Sequence, residues 1–143
     1  MSTDENTTSE ADAEAIKRIV FAYAKQATKS PEEAQNFINK LGTIVSQDSA
    51  KLVHFGGTLF LILVRGKGAV EIHTMSVNED SLSLAKNFVA LSKYLKQIGV
   101  RLAYTYTDDP KFKLIARRTK LPIKNQKLTL PDGQEVTAYY LEL

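Results

Sequence analysis

Glu71 and His73 stand two positions apart in the segment Ala69–Met75. Period-two alternation puts Val70, Ile72 and Thr74 on one face of a strand and Glu71, His73 and Met75 on the other. A carboxylate beside an imidazole tunes a proton acceptor toward neutral pH, so the pair is a candidate general base. The same spacing also suits a covered or solvated strand face on which both groups are simply hydrogen-bonded. His54, beside Phe55 and Gly56, is the other histidine, and its neighbours point to no chemistry.

Other chemistries find less support. The chain has no cysteine, which excludes disulfides, thiolate nucleophiles and cysteine-ligated metal sites, and two separated histidines make a poor start for zinc, so no metal is expected. Serines and aspartates are plentiful, yet no G-x-S-x-G elbow places them as a triad. Gly66-Lys67-Gly68 lacks the further glycines and following helix of a phosphate-binding loop and reads as a hairpin turn. Tyr104 and Tyr106 share a strand face with Leu102; such a pair is either core or a base-stacking platform, with Arg117, Arg118, Lys120, Lys124 and Lys127 as contacts to phosphate or another anionic partner.

Charge distribution bears on that choice. The net charge is +3, but Met1–Glu14 holds five acids and no base, whereas Lys93–Lys127 holds ten Lys or Arg against Asp108 and Asp109. A basic C-terminal half suits a nucleic acid or an acidic protein face, and also a merely solvated surface. The longest apolar run, Leu59–Val64, has six residues, far short of the roughly 20 that span a membrane.

The elements that must position these residues follow from periodicity. Residues 1–10 are polar and acidic and read as a flexible tail, with one domain over residues 11–143. Ile16, Ile19, Val20, Tyr23 and Ala27 form a helical stripe ending near Thr28. Ser30-Pro31-Glu32-Glu33 is a capping box with proline at the first helical position, opening a second helix to about Ser46. Strands are expected at Leu52–Phe55, Thr58–Arg65 and Ala69–Met75, the second covered on both faces. A long helix over Ser81–Ile98 stops at Gly99, Arg101–Thr107 alternates as a strand, and Asp109-Pro110 opens a helix that Pro122 ends. Lys127–Leu130 and Glu135–Leu143 close the chain as a hairpin around Asp132-Gly133.

The resulting fold class is α/β (α+β): two N-terminal helices, a mixed central sheet of about five or six strands, two further helices and a C-terminal hairpin. This order is similar to that of the GCN5-related N-acetyltransferase (GNAT) superfamily. The segments VEIHTM, LAKNFVALSKYLKQIG and RLAYTYTDDPKFKLIARR fall where that family has its fourth strand, third helix, fifth strand and fourth helix. The resemblance implies that acetyl-CoA enters between two splayed strands, its pyrophosphate resting on a glycine-rich loop that opens the third helix. Backbone groups of Met75, Ser76 and Val77 would then hold the pantetheine arm, Ser81 the phosphates, and Glu71 or His73 would serve as base.

The sequence departs from that pattern at the same places. Between Gly68 and Gly99 there is no glycine, and Glu79 and Asp80 stand where the pyrophosphate would lie. The position of the family's leaving-group tyrosine falls on Ala116, and a family-like first strand is missing. The first expectation is therefore a non-catalytic GNAT-like structural or adaptor subunit. It would need no cofactor, would dock to a protein partner or its own copies, and would resemble small virion-associated proteins of tailed phages, in host cytoplasm or virion. The second is a divergent acetyl-CoA-dependent N-acetyltransferase. The third is a nucleic-acid-binding module using the basic C-terminal half.

Overall fold

The computed structural model describes residues 10–143, with side chains from Asp12 onward. The tail expected over residues 1–10 lies outside the described residues except for Glu10, which opens the first helix. Chain order is α1 (Glu10–Ala27), α2 (Pro31–Val45), β1 (Ala50–Phe55), β2 (Thr58–Gly66), β3 (Ala69–Ser76), α3 (Ser81–Gln97), β4 (Leu102–Thr107), α4 (Pro110–Thr119), β5 (Lys124–Thr129) and β6 (Glu135–Glu142). The six strands form one mixed sheet in the order β1-β2-β3-β4-β6-β5, parallel only between β3 and β4.

Local chemistry sets the ends of these elements. Ser30 Oγ accepts from Glu33 N at 3.1 Å, and the Glu33 carboxylate reaches back to Lys29 N at 3.0 Å, one residue earlier than a standard capping box requires. Asp80 and Asp109 cap α3 and α4 through Ser83 N and Lys111 N. Lys120 ends α4 in the left-handed region with φ 60°. β5 begins at Lys124, three residues before the sequence pattern suggests, because its polar residues pair with β6 along the full length. Pairing supplies what alternation does not show there.

Two apolar layers sandwich the β1–β3 half of the sheet. Leu59, Leu61 and Met75 meet Val20 and Leu41 of α1 and α2 on one face. Phe60, Ile62, Val70 and Ile72 meet Leu91 and Leu95 of α3 on the other. Phe60 is wholly buried and stands edge-on to Phe88 with centroids 5.0 Å apart. β2 is thus the central strand that its apolar run predicts, buried from Thr58 to Ile62, but it emerges into solvent from Val64 onward. Among the described residues the helical layer of α1 and α2 packs on β1, β2 and β3. Glu71 and His73 lie on β3, on the face opposite the long helix.

Candidate active site

The ladder between β3 and β4 is short. Ala69, Val70 and Glu71 pair with Leu102, Ala103 and Tyr104, and there pairing ends. β3 nevertheless runs on to Ser76 along β2, and β4 to Thr107 along β6. Each strand is held by its outer neighbour and released by its inner one, so the two part and leave backbone N–H and C=O groups on their facing edges without a ladder partner. A cavity of about 620 Å³ occupies the opening and reaches both sheet faces. Thr74, Met75 and Ser76 line one side and Thr105, Tyr106 and Thr107 the other. At the start of α4 the Asp109 backbone N–H donates to Thr107 Oγ1 at 3.0 Å, and Asp109, Phe112 and Ile115 line the cavity.

Glu71 and His73 are brought together at the root of this opening. Arg65 Nε donates to Glu71 Oε1 at 3.0 Å, and His73 Nε2 lies 2.5 Å from Glu71 Oε2. A carboxylate only accepts, so Nε2 carries a proton and, in the neutral ring, Nδ1 holds the lone pair. Glu71 is largely enclosed at 15% side-chain exposure and His73 is open at 51%. The carboxylate orients and the imidazole faces the cavity, which it lines. Tyr104, opposite Glu71 in the ladder, has its phenol pushed above the ordinary 10.0 by burial, then by the Glu71 charge, and remains neutral at working pH. Its ring meets that of Tyr106 edge-on at 5.6 Å. Tyr106 is exposed and lines the gap, whereas Tyr104 is half-buried and does not line it.

The turn from β3 to α3 bears on the missing glycines. Asn78 adopts φ 59° there; asparagine enters the left-handed region at low cost, so the reversal is made without glycine. Of the two carboxylates expected at the helix start, Glu79 is turned away and lies over the β1–β2 turn, where a Cβ on Gly57 would collide with its Oε1. Only Asp80 remains, held below its ordinary 3.8 chiefly by the Ser83 backbone N–H it accepts from. Arg118 reaches across from the last turn of α4 and donates to Ser81 Oγ at 2.7 Å, placing a cation beside that carboxylate.

The remaining sequence candidates distribute as follows. Met75 and Ser76 line the cavity, and Ser81 opens α3 under Arg118. Val77 lies in the turn and Ala116 is buried, while α4 gives Phe112 and Ile115 to the lining and no hydroxyl. Lys124 and Lys127 sit on opposite faces of β5 by alternation, and Lys124 lies 3.7 Å from Glu142. His54 meets Asp12 of α1 at 2.9 Å and does not line the cavity. Sequence reasoning missed Arg65 and Lys40. The hairpin register would have set Arg65 near Glu71, and Lys40 shares the helical stripe of Phe37, Leu41 and Ile44. Among the described residues no cluster of potential ligands could hold a metal ion, and no helix is long and apolar enough to cross a membrane.

No protein-family model and no curated protein sequence matches the chain. Solved structures do. It is similar to a probable acetyltransferase of the GNAT family from Chromobacterium violaceum, at 16% identity over 90% of this chain and 80% of that one, with TM-score 0.62. A chimeric form of the spermidine N-acetyltransferase SpeG from Vibrio cholerae matches at 10% identity and TM-score 0.67, covering 87% and 88%. The ribosomal L7/L12 α-N-protein acetyltransferase RimL matches at 13% and 0.62, covering 95% and 87%. The fold is GNAT-like. The expectation of a non-catalytic structural or adaptor subunit is corrected by this, since these three structures sharing the fold are acetyltransferases. The grounds for expecting inactivity also weaken physically, since Asn78 makes the turn, Glu79 has left the helix start and Arg118 has arrived there.

Proposed function

We propose that this protein transfers an acyl group from coenzyme A to an amine in the gap between β3 and β4. The observation that carries the reading is the truncated β3–β4 ladder, which opens a cavity directly beside an imidazole oriented by Glu71. A GNAT-fold structure from Bacillus subtilis, 12% identical with TM-score 0.52 and covering 74% of this chain and 85% of that one, holds CoA. The residues here fit such a group along its arm. The unpaired edges of Thr74–Ser76 and Thr105–Thr107 offer backbone N–H and C=O groups to an extended, amide-bearing chain. Arg118 and Ser81 would meet its phosphates at the start of α3, with Asp80 as the opposing charge.

When bound, the thioester supplies an activated acyl carbon and a thiolate leaving group. The protein's part is proton handling and orientation. His73 Nδ1 takes the proton of the attacking amine as its N–C bond forms, and Glu71 Oε2 stabilises the imidazolium that results through the short contact to Nε2. Arg65 keeps the carboxylate in place. Protonation of the leaving sulfur falls to the Tyr106 hydroxyl, the phenol that β4 presents to the cavity, since α4 offers none. Thr74 and Phe88 wall the gap against bulk water.

Thiol release from acetyl-CoA with a panel of primary amines, with the acylated product identified by mass spectrometry, tests the proposal. Acceleration by the wild type and its loss in His73→Gln is the expected result. Product formation that survives His73→Gln and Tyr106→Phe together would remove these residues from the reaction.

A further inference from the structure

The proposed acyl transfer leaves the acceptor undefined, and the α1/α2 arm of the same cavity constrains it. Four lining residues of α2, Phe37, Lys40, Leu41 and Ile44, recur at helical spacing on one face. Tyr23 of α1 packs its ring against Phe37 with centroids 5.7 Å apart. This arm is therefore apolar and aromatic, with a single ammonium rising out of the stripe. Lys40 makes no ion pair among the described residues, although its neighbours on the stripe are packed against β2.

The acids are placed so as not to answer a cationic acceptor. The lining holds one carboxylate, Asp109, committed to the Lys111 backbone N–H at 2.9 Å at the other end of the gap. Both oxygens of Glu71 are taken, by Arg65 and His73, and Glu71 does not line the cavity. A polyamine would bring a second ammonium into an arm whose one charged group among the described residues is Lys40, where like charges repel and no described carboxylate compensates. A molecule with an apolar body and its own carboxylate reverses every one of those signs.

We infer that the acceptor is a hydrophobic α-amino acid or its close analogue: apolar side chain against Tyr23, Phe37 and Ile44, carboxylate toward Lys40, amino group toward His73. This rests on the acyl-transfer reading for its chemistry, but binding is measurable without it. Chemical-shift titrations of the protein, without any acyl donor, use L-phenylalanine, L-phenylalaninamide and spermidine as probes, and a separate titration uses acetyl-CoA. The acid should bind up to about fivefold more tightly than the amide, a preference of the size one exposed charge contact gives. Spermidine should shift nothing in the arm. In Lys40→Gln the acid should fall to the level of the amide while amide binding persists, which shows the variant folded. Equal binding of acid and amide to the wild type, or tighter binding of spermidine, overturns the inference. Failure of acetyl-CoA to bind while phenylalanine binds as described would instead strike the acyl-transfer reading and leave the acceptor preference standing.

Discussion

Replacing Glu71 by Gln changes little in size and reverses the instruction given to His73. In the wild type Oε1 accepts from Arg65 Nε at 3.0 Å and Oε2 faces His73 Nε2 at 2.5 Å. Arginine has donors only, so in E71Q it claims the amide oxygen and turns the amide NH2 toward His73. Nε2 must then accept, the ring proton moves to Nδ1, and the lone pair facing the amine is gone. General-base catalysis is worth about 10²–10⁴ in rate, so kcat should fall at least ~100-fold by that estimate. The KM for acetyl-CoA should hold, because Glu71 is outside the cavity lining. Nitrogen-15 spectra of labelled imidazoles read the tautomer directly in a chain with two histidines, and His54→Gln assigns the signals. A wild-type neutral ring protonated at Nδ1, or an E71Q protein with unchanged tautomer and unchanged kcat, would refute the reasoning.

Four further outcomes are expected. Phe60→Ala removes a wholly buried ring between Phe55 and Phe88 and should cost about 3–5 kcal/mol in urea denaturation. Ser30→Ala removes the cap of α2 and should cost about 1 kcal/mol, measured the same way. The Asp80 carboxyl is depressed in the folded state by the Ser83 N–H, so its stabilising effect is present above the ordinary 3.8 and lost as pH falls below it. In Asp80→Asn, which still caps, that acid-dependent loss should vanish from thermal melts, and low-salt affinity for acetyl-CoA should rise several-fold as a like charge leaves the phosphates. Tyr104 has the opposite sign: its folded value is raised, so stability is intact below pH 10 and declines above it. The late part of the tyrosinate absorbance change should be missing in Tyr104→Phe.

Much of the architecture could be read from residue order. Caps at Ser30 and Asp109 and the stop at Gly99 are local chemistry, and local chemistry fixes element ends. Strand alternation also put Glu71 and His73 on one face correctly. What alternation cannot give is which neighbour covers a face, and here that is the edge of the α1/α2 layer rather than α3. The functional opening depends on where a parallel ladder stops, a long-range property with no local sequence mark. Asn78 shows a further limit: counting glycines treats the left-handed turn as glycine's alone, whereas asparagine fills the same region. Arg118 reads as a surface cation in sequence, because only the crossing of α4 over the start of α3 brings it to Ser81.

The central claim is that the β3–β4 gap receives an acyl-CoA arm, and calorimetric titration with acetyl-CoA measures it most directly. Wild type should bind with a micromolar dissociation constant, and Thr105→Trp, which fills the gap from β4, should abolish the heat while its circular dichroism stays native. Absence of heat with the wild type at millimolar acetyl-CoA, or equal binding by a folded Thr105→Trp, would contradict the account.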